Sequence, residues 1–353
     1  MNSDMPSRRG LAELLHAGRS RLARRANDAF LDRHPDWEAR YGGAARVRGE
    51  EDALFHLEFL AGAVLFDDVS AFEDYARWTA GMLAARGIEP VFLQEHLKDV
   101  ANAAAAEADD EGRWRIEAIV EAGIAAIDGG RAAVRQDDSD PFATERSLYL
   151  QAVLAGQRGA ALTVAFESLV AGAAVPEVYE SILQPVQYEV GRLWEQNVIS
   201  VATEHMATAI TQYVMAQLYA RIDMPAASRG NAIVTGVQGE LHQIGGNMVA
   251  DMLEADGWNM RFLGTHLPHA AVLSAIEDHR PSLLGISATV LRNLPAVADL
   301  IEQTRRHFGA VAILVGGGAF RSSPEMWREI GADGFGHNIR HAVAVAHTVS
   351  SGA

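Results

Sequence analysis

The chain has 353 residues, a formal net charge of -16 and no cysteine. Its length leaves room for two or three domains at ~100–200 residues each. With 49% hydrophobic and 22% charged residues it reads as globular, and no apolar run approaches the ~20 residues that span a bilayer. The negative charge works against general attraction to nucleic acid, whose phosphates need a basic face. The lack of cysteine excludes disulfides, thiolate metal sites, cysteine nucleophiles and any pigment attached through a thioether.

The first thirty residues carry Arg8, Arg9, Arg19, Arg21, Arg24 and Arg25 but no apolar centre of the kind a secretory signal needs, so a cytoplasmic location is expected. The basic run from Arg19 to Arg25 reads as a solvated helix face. From Leu11 to about Gly129 apolar positions recur every three or four residues, which predicts helices. One stripe is Leu54, Leu57, Leu60, Ala61 and Val64; Phe72, Tyr75, Trp78 and Met82 continue the spacing and read first as core. Turn formers between Gly129 and Pro141 mark a boundary. The predicted division is an all-helical domain over 1–130, globin-like in class, then a linker over 131–141.

A four-helix unit is expected over 142–225. Val178, Ile182, Val186, Val190 and Leu193 form one apolar stripe, with a kink expected at Pro185. Gln196-Asn197 reads as a turn and Ser200 as the N-cap of the next helix. After Met224-Pro225 short apolar runs alternate with helical stretches, the signature of an open parallel sheet. Strands are predicted at 232–237, 260–263, 282–286, 312–315 and 334–335, with helices starting near Asn247, His269, Leu294, Pro324 and Arg340. Five strands in 226–353 fit a flavodoxin- or Rossmann-like sheet whose ligand sits at the carboxyl ends of its strands.

Three loops fall at those ends: Gly239 to Gly246 after the first strand, Ser287-Ala288-Thr289 after the third and Gly316-Gly317-Gly318 after the fourth. In the first, His242 precedes Ile244-Gly245-Gly246, a pattern suited to an axial imidazole rather than a phosphate cradle. Upstream, Trp194 is followed after nine residues by Glu204-His205. Together these motifs resemble the cobalamin-binding module of light-responsive regulators of the CarH type, strongly so from Phe142 onward. The family pattern of the sheet is Asp-x-His-x-x-Gly, then Ser-x-Leu or Ser-x-Thr, then Gly-Gly.

The resemblance implies His242 as lower ligand of cobalt, with Glu240 and Gly245 completing its motif. It also implies that Ser287, Thr289, Gly316 and Gly317 accommodate the buried nucleotide tail, and that Trp194, Val201, Glu204 and His205 form a cap over the adenosyl group of adenosylcobalamin. Glu240 stands where aspartate is usual, and its longer arm predicts a looser hold on the imidazole. Glu195 stands where a histidine often takes the upper position after light, which leaves water, His205 or His266 for that role.

No basic recognition helix precedes this module. The helical front instead resembles the photocobilins, which combine cobalamin with non-covalently held biliverdin. For biliverdin, Arg46, Arg48, His56, Arg77 and Trp78 are available in the first domain. The expected function is a light sensor rather than an enzyme, a homo-oligomer whose assembly responds to light and reaches a downstream effector, without direct contact to nucleic acid or membrane. The alternative is the corrinoid carrier of a methyltransferase system. A mutase would need a barrel for which there is no room, and a plain flavodoxin-like nucleotide binder is the blandest reading.

Overall fold

A computed structural model describes residues 5–129, 140–321 and 325–350. The chain divides into two compact units, Met1–Ala133 and Val134–Ala353. The predicted linker lies outside the described residues except for Asp140 and Pro141.

The first unit is all helical: α1 (Met5–Arg33), α2 (Trp37–Tyr41), α3 (Ala45–Phe66), α4 (Val69–Ala84), α5 (Pro90–Ala105) and α6 (Asp110–Ile127). Asp68 and Asp109 cap α4 and α6 by accepting from Ala71 N and Gly112 N at 3.0 and 2.8 Å, and Pro90 opens α5 at a position where its missing N–H is not needed. Leu57, Leu60, Ala61 and Val64 are buried, as are Phe72 and Tyr75, while Leu54, Trp78 and Met82 are half-buried, so the predicted stripes are core in their middle and reach its edge at Leu54, Trp78 and Met82. A Cβ on Gly123 of α6 would lie 2.7 Å from the Phe72 ring; glycine there lets α6 close on α4.

The second unit begins with a helical cap: α7 (Ala143–Leu154), α8 (Arg158–Val170), α9 (Val175–Val178), α10 (Gln184–Glu195) and α11 (Val201–Tyr219). A π turn over Tyr179–Leu183 joins α9 to α10 without a break, so four helical rods result. The turn sits where Pro185 was expected to kink the helix. Proline has no N–H to offer the carbonyl four residues back, that of Ser181, and Arg146 Nη1 from α7 donates to that oxygen at 3.1 Å.

The sheet follows as β1 (Asn231–Val237), α12 (Ile244–Ala255), β2 (Asn259–Leu267), α13 (His269–His279), β3 (Leu283–Ser287), α14 (Leu294–His307), β4 (Ala312–Gly316), α15 (Met326–Glu329), β5 (Gly334–Gly336) and α16 (Ile339–Ser350). All five strands are parallel in the order β2-β1-β3-β4-β5, the flavodoxin-like arrangement. Register pairs Gly236 with Ser287 and Ser287 with Gly316, so the three loops begin side by side. The expected helix start at Pro324 lies outside the described residues.

Cap and sheet share one apolar core, in which Val178, Ile182, Val186, Ile210, Val214 and Leu218 meet Met248 and Met252 of α12. At its edge the buried Tyr179 hydroxyl donates to Asp251 Oδ2 at 2.8 Å. Burial pushes the Asp251 carboxyl up to about 6, against the lowering effect of the Tyr179 hydrogen bond.

Candidate functional site: a corrinoid site at the carboxyl ends of the strands

The chain leaves β1 at Val237 and turns through Gly239, whose φ of +93° favours glycine. Gly239 N donates to His266 Nδ1 at 3.0 Å, which places His266 beside this loop rather than on the cap. Glu240 then points into the protein and is wholly buried. Its Oε1 accepts from His242 N at 2.8 Å and is 2.6 Å from His242 Nδ1. Its Oε2 accepts from Thr289 N at 2.6 Å and from Asn293 Nδ2 at 3.0 Å. Burial alone would raise the Glu240 carboxyl, but hydrogen bonds from the His242 ring and from the Thr289 and His242 amides outweigh it and hold the group below its ordinary value.

The consequence falls on the imidazole. With a carboxylate against Nδ1 the ring carries its proton there, and the Nε2 lone pair faces outward from a side chain that is 61% exposed. This is the donor set a lower cobalt ligand requires. The looser hold expected from the longer arm of glutamate is corrected: Glu240 reaches across to the β3 loop and is fixed by four donors. Asn293 was not visible to sequence reasoning, and Thr289 contributes its backbone N–H to this lock.

Ser287 ends β3, and a Cβ on Gly246 would meet its Cβ at 3.4 Å and the Phe262 ring at 3.5 Å, while Gly245 has open space around it. A cavity of about 190 Å³ lies alongside, lined by Gln212, Met215, Gln243, Ile244, Asn247 and Phe262. The other predicted glycines make close backbone approaches. A Cβ on Gly317, whose φ is +106°, would lie 2.2 Å from the Ala288 carbonyl, and one on Gly316 would lie 3.1 Å from the Gly336 carbonyl. They let neighbouring loops touch. A larger cavity, about 460 Å³, lies at the opposite end of the sheet around Arg305, Val311 and Asp333.

On the cap, α10 ends at Glu195 and Asn197 closes the turn with φ of +57°, Val198 N reaching back to Leu193 O at 2.9 Å. Ser200 caps α11, accepting from Thr203 N at 3.2 Å. Trp194 is half-buried, while Val198 and Val201 leave apolar surface in water, 64% and 53% exposed. Glu204 Oε2 holds His205 Nδ1, and Thr208 Oγ1 is 3.1 Å from Glu204 Oε1. The helix that carries them meets the His242 loop further along, where Gln212 and Met215 line the smaller cavity with Gln243 and Ile244. At 1.5 Å per residue Glu204 stands about 12 Å up the helix from that contact. The predicted residues thus form two sets: Glu240, His242, Thr289 and Ser287 on the sheet, and Trp194, Val201, Glu204 and His205 on the cap.

In the first unit, Arg46 is committed to Asp28 at 2.6 Å and Arg77 to Asp74 at 2.7 Å, and Arg48 is exposed. Trp78 is half-buried beside Tyr75. His56 is buried with Nδ1 2.6 Å from the Tyr75 hydroxyl and its ring 5.3 Å from that of His96. The Nε2 atoms of both are buried without a hydrogen-bond partner. Burial, with His96 nearby, pushes His56 well below the usual imidazole value, and burial takes His96 to about 4. In the basic run, Arg21 pairs with Glu107 and Arg24 with Glu50, a solvated face.

Residues 230–344 match a family model described as a B12 binding domain, and residues 146–219 match a second model of the same description. Dimethylamine corrinoid protein 1 of Methanosarcina acetivorans is 29% identical over 175 residues, 48% of this chain and 81% of that protein. The HTH-type transcriptional repressor CarA of Myxococcus xanthus is 28% identical over 119 residues, 34% of this chain and 41% of the repressor. The monomethylamine corrinoid protein of Methanosarcina barkeri superimposes with a TM-score of 0.53 at 24% identity, over 59% of this chain and 99% of that one, and shares the fold. No helix among the described residues is long and apolar enough to cross a membrane. The cap and the sheet therefore each match a B12 binding domain, and the cofactor that these matches support is a corrinoid.

Proposed function

We propose that this chain is a light sensor that holds adenosylcobalamin between cap and sheet, with His242 as the lower ligand of cobalt. The observation that carries the reading is the chemistry of the cap end of α11: Glu204, His205 and Thr208 form a connected polar set beside the exposed Val198 and Val201. A nucleoside offers hydroxyls and ring nitrogens to such a set; a methyl group offers nothing. When bound, the cofactor supplies a cobalt–carbon bond that visible light breaks.

The chain's own residues do the rest. Glu240 keeps the proton on His242 Nδ1 so that Nε2 stays available. Trp194, Val198 and Val201 present apolar surface that a nucleoside would cover, at ~25 cal/mol per Å². Without a nucleoside over them these side chains would lie in water, so states with and without it would make different contacts, a reason to repack the cap or recruit a second copy. The test is reconstitution with adenosylcobalamin in the dark, an absorbance spectrum, illumination, and measurement of oligomeric size. The reading expects both spectrum and size to change; a spectrum indifferent to light removes it.

A second reading, a corrinoid methyl carrier, is favoured by the comparisons themselves: the match to dimethylamine corrinoid proteins is longer than that to the repressor. It expects methylcobalamin to bind and its methyl group to pass to an acceptor in the presence of a methyltransferase. The first unit is assigned biliverdin as a second pigment, supported by the buried, unpartnered Nε2 atoms of the neighbouring His56 and His96. An absorbance band in the red on adding biliverdin is expected; without one the first unit is structural.

A further inference from the structure

A file of hydrogen-bonding side chains runs through the cap from its core to its exposed end. Tyr149 of α7, wholly buried, donates its hydroxyl to Thr211 Oγ1 at 3.1 Å. The Gln187 amide of α10 bridges Thr211, at 2.8 Å, and Thr208, at 3.2 Å. Thr208 Oγ1 is 3.1 Å from Glu204 Oε1, and Glu204 Oε2 holds His205. Glu204, Thr208 and Thr211 are spaced four and three apart, so they form one stripe of α11. Three helices spend polar side chains on this file inside an apolar bundle.

Proton counting gives the file a direction. A hydroxyl has one proton, and an amide has two N–H and one oxygen. With the Gln187 oxygen toward Thr208, the single Thr208 proton faces two acceptors, Gln187 Oε1 and Glu204 Oε1. Turning the amide over, a change of assignment that moves no heavy atom from its position, spends each proton once. Tyr149 then donates to Thr211, Thr211 to the Gln187 oxygen, the Gln187 N–H to Thr208, and Thr208 to Glu204. Every member points its donor outward, and the file ends on a carboxylate whose unused lone pairs accept.

We infer that Gln187, Thr208 and Thr211 are positioning residues that hold Glu204 as an acceptor for a hydroxyl on the upper ligand, so that the cap selects a nucleosyl over an alkyl group. The inference rests on the proposed adenosylated upper face and adds what determines its selectivity. Hydrogen bonding to a charged acceptor is where loss of one polar partner is felt most.

The test is equilibrium binding of adenosylcobalamin and of methylcobalamin, in the dark, to the full chain and to Gln187→Met, Thr208→Val and Thr208→Ser. The full chain prefers adenosylcobalamin. Gln187→Met and Thr208→Val each weaken adenosylcobalamin about tenfold, or ~1.4 kcal/mol, and leave methylcobalamin within about twofold, while Thr208→Ser, which keeps the hydroxyl, retains the preference. An unchanged preference in both disruptive variants overturns the inference while leaving the sensor reading intact, and so does equal loss of both cobalamins. A full chain without any preference overturns both.

Discussion

The two ends of the proposed corrinoid site, the His242 loop on the sheet and the Glu204 end of the cap, are built on opposite plans. On the sheet, Glu240 is wholly buried and its two oxygens face four donors drawn from two loops. On the cap, His205 and Val201 are largely exposed, and Glu204 is fixed from one side by Thr208. The difference teaches which half exists before the ligand arrives. A saturated buried carboxylate orients His242 in advance, whereas the cap end is completed by what it covers. That suits a site in which the lower bond is constant and the upper group leaves.

The largest effect expected from breaking this contrast is on Glu240. Glu240→Ala leaves the Thr289 amide and the Asn293 side chain without their acceptor inside the protein, at about 1–3 kcal/mol each. A loss of about 2–6 kcal/mol in denaturant unfolding is expected from these two, and a change under about 1 kcal/mol would show that the lock is not structural.

Next comes the joint between the two faces. Asp251, on the helix that follows the His242 loop, has its carboxyl raised to about 6 from an ordinary 3.8 by burial, partly offset by the Tyr179 hydrogen bond. A raised carboxyl favours the folded state below about pH 4, and that contribution is lost as pH rises through 6. Asp251→Asn removes this slope, worth about 3 kcal/mol, and keeps an acceptor for Tyr179. Its melting temperature measured from pH 4 to 7 should therefore be flatter than that of the parent and higher at pH 7; parallel curves would sink the assignment.

Trp194→Ala addresses the upper face alone. It should weaken adenosylcobalamin by about tenfold, ~1.4 kcal/mol, without loss of the corrin itself, so binding of hydroxocobalamin should hold. Equal loss of both would mean that Trp194 is only cap packing. The smallest effect on stability belongs to His242→Ala. Its removal takes one of the four donors from the buried Glu240 carboxylate and leaves three, at about 1 kcal/mol, yet ligation of cobalt should disappear from the spectrum.

Much of this was legible in the sequence, for identifiable reasons. The strands are short apolar runs bounded by turn formers, and parallel strands buried on both faces advertise themselves that way. The His242 loop was placed because it follows such a run. The start of α12 was missed by three residues, since Gly245 and Gly246 sit in its first turn and glycines read as loop. Pro185 was read as a kink, but Arg146 takes up the freed carbonyl and the helix absorbs the defect as a π turn.

What spacing could not reveal are partners brought together by the fold. Asn293 lies 53 residues from Glu240, and Gln187 and Tyr149 reach α11 from other helices. Gly316 and Gly317 show the converse. The spacing marks them as a loop after a strand, but the close approach of the Ala288 and Gly336 carbonyls to them is something that only the packed loops disclose. In the first unit Arg46 and Arg77 looked available because nothing in the sequence announces Asp28 or Asp74 as their partners.

The central claim is that His242, oriented by Glu240, binds cobalt through Nε2. Electron paramagnetic resonance of the cobalt(II) form tests it most directly, because the axial nitrogen splits the cobalt lines. The account predicts a three-line nitrogen splitting that becomes two-line when the protein alone is labelled with ¹⁵N-histidine, and that histidine-derived splitting is absent in His242→Ala. A splitting unchanged by the label would mean that the cofactor's own base remains on cobalt, and would contradict it.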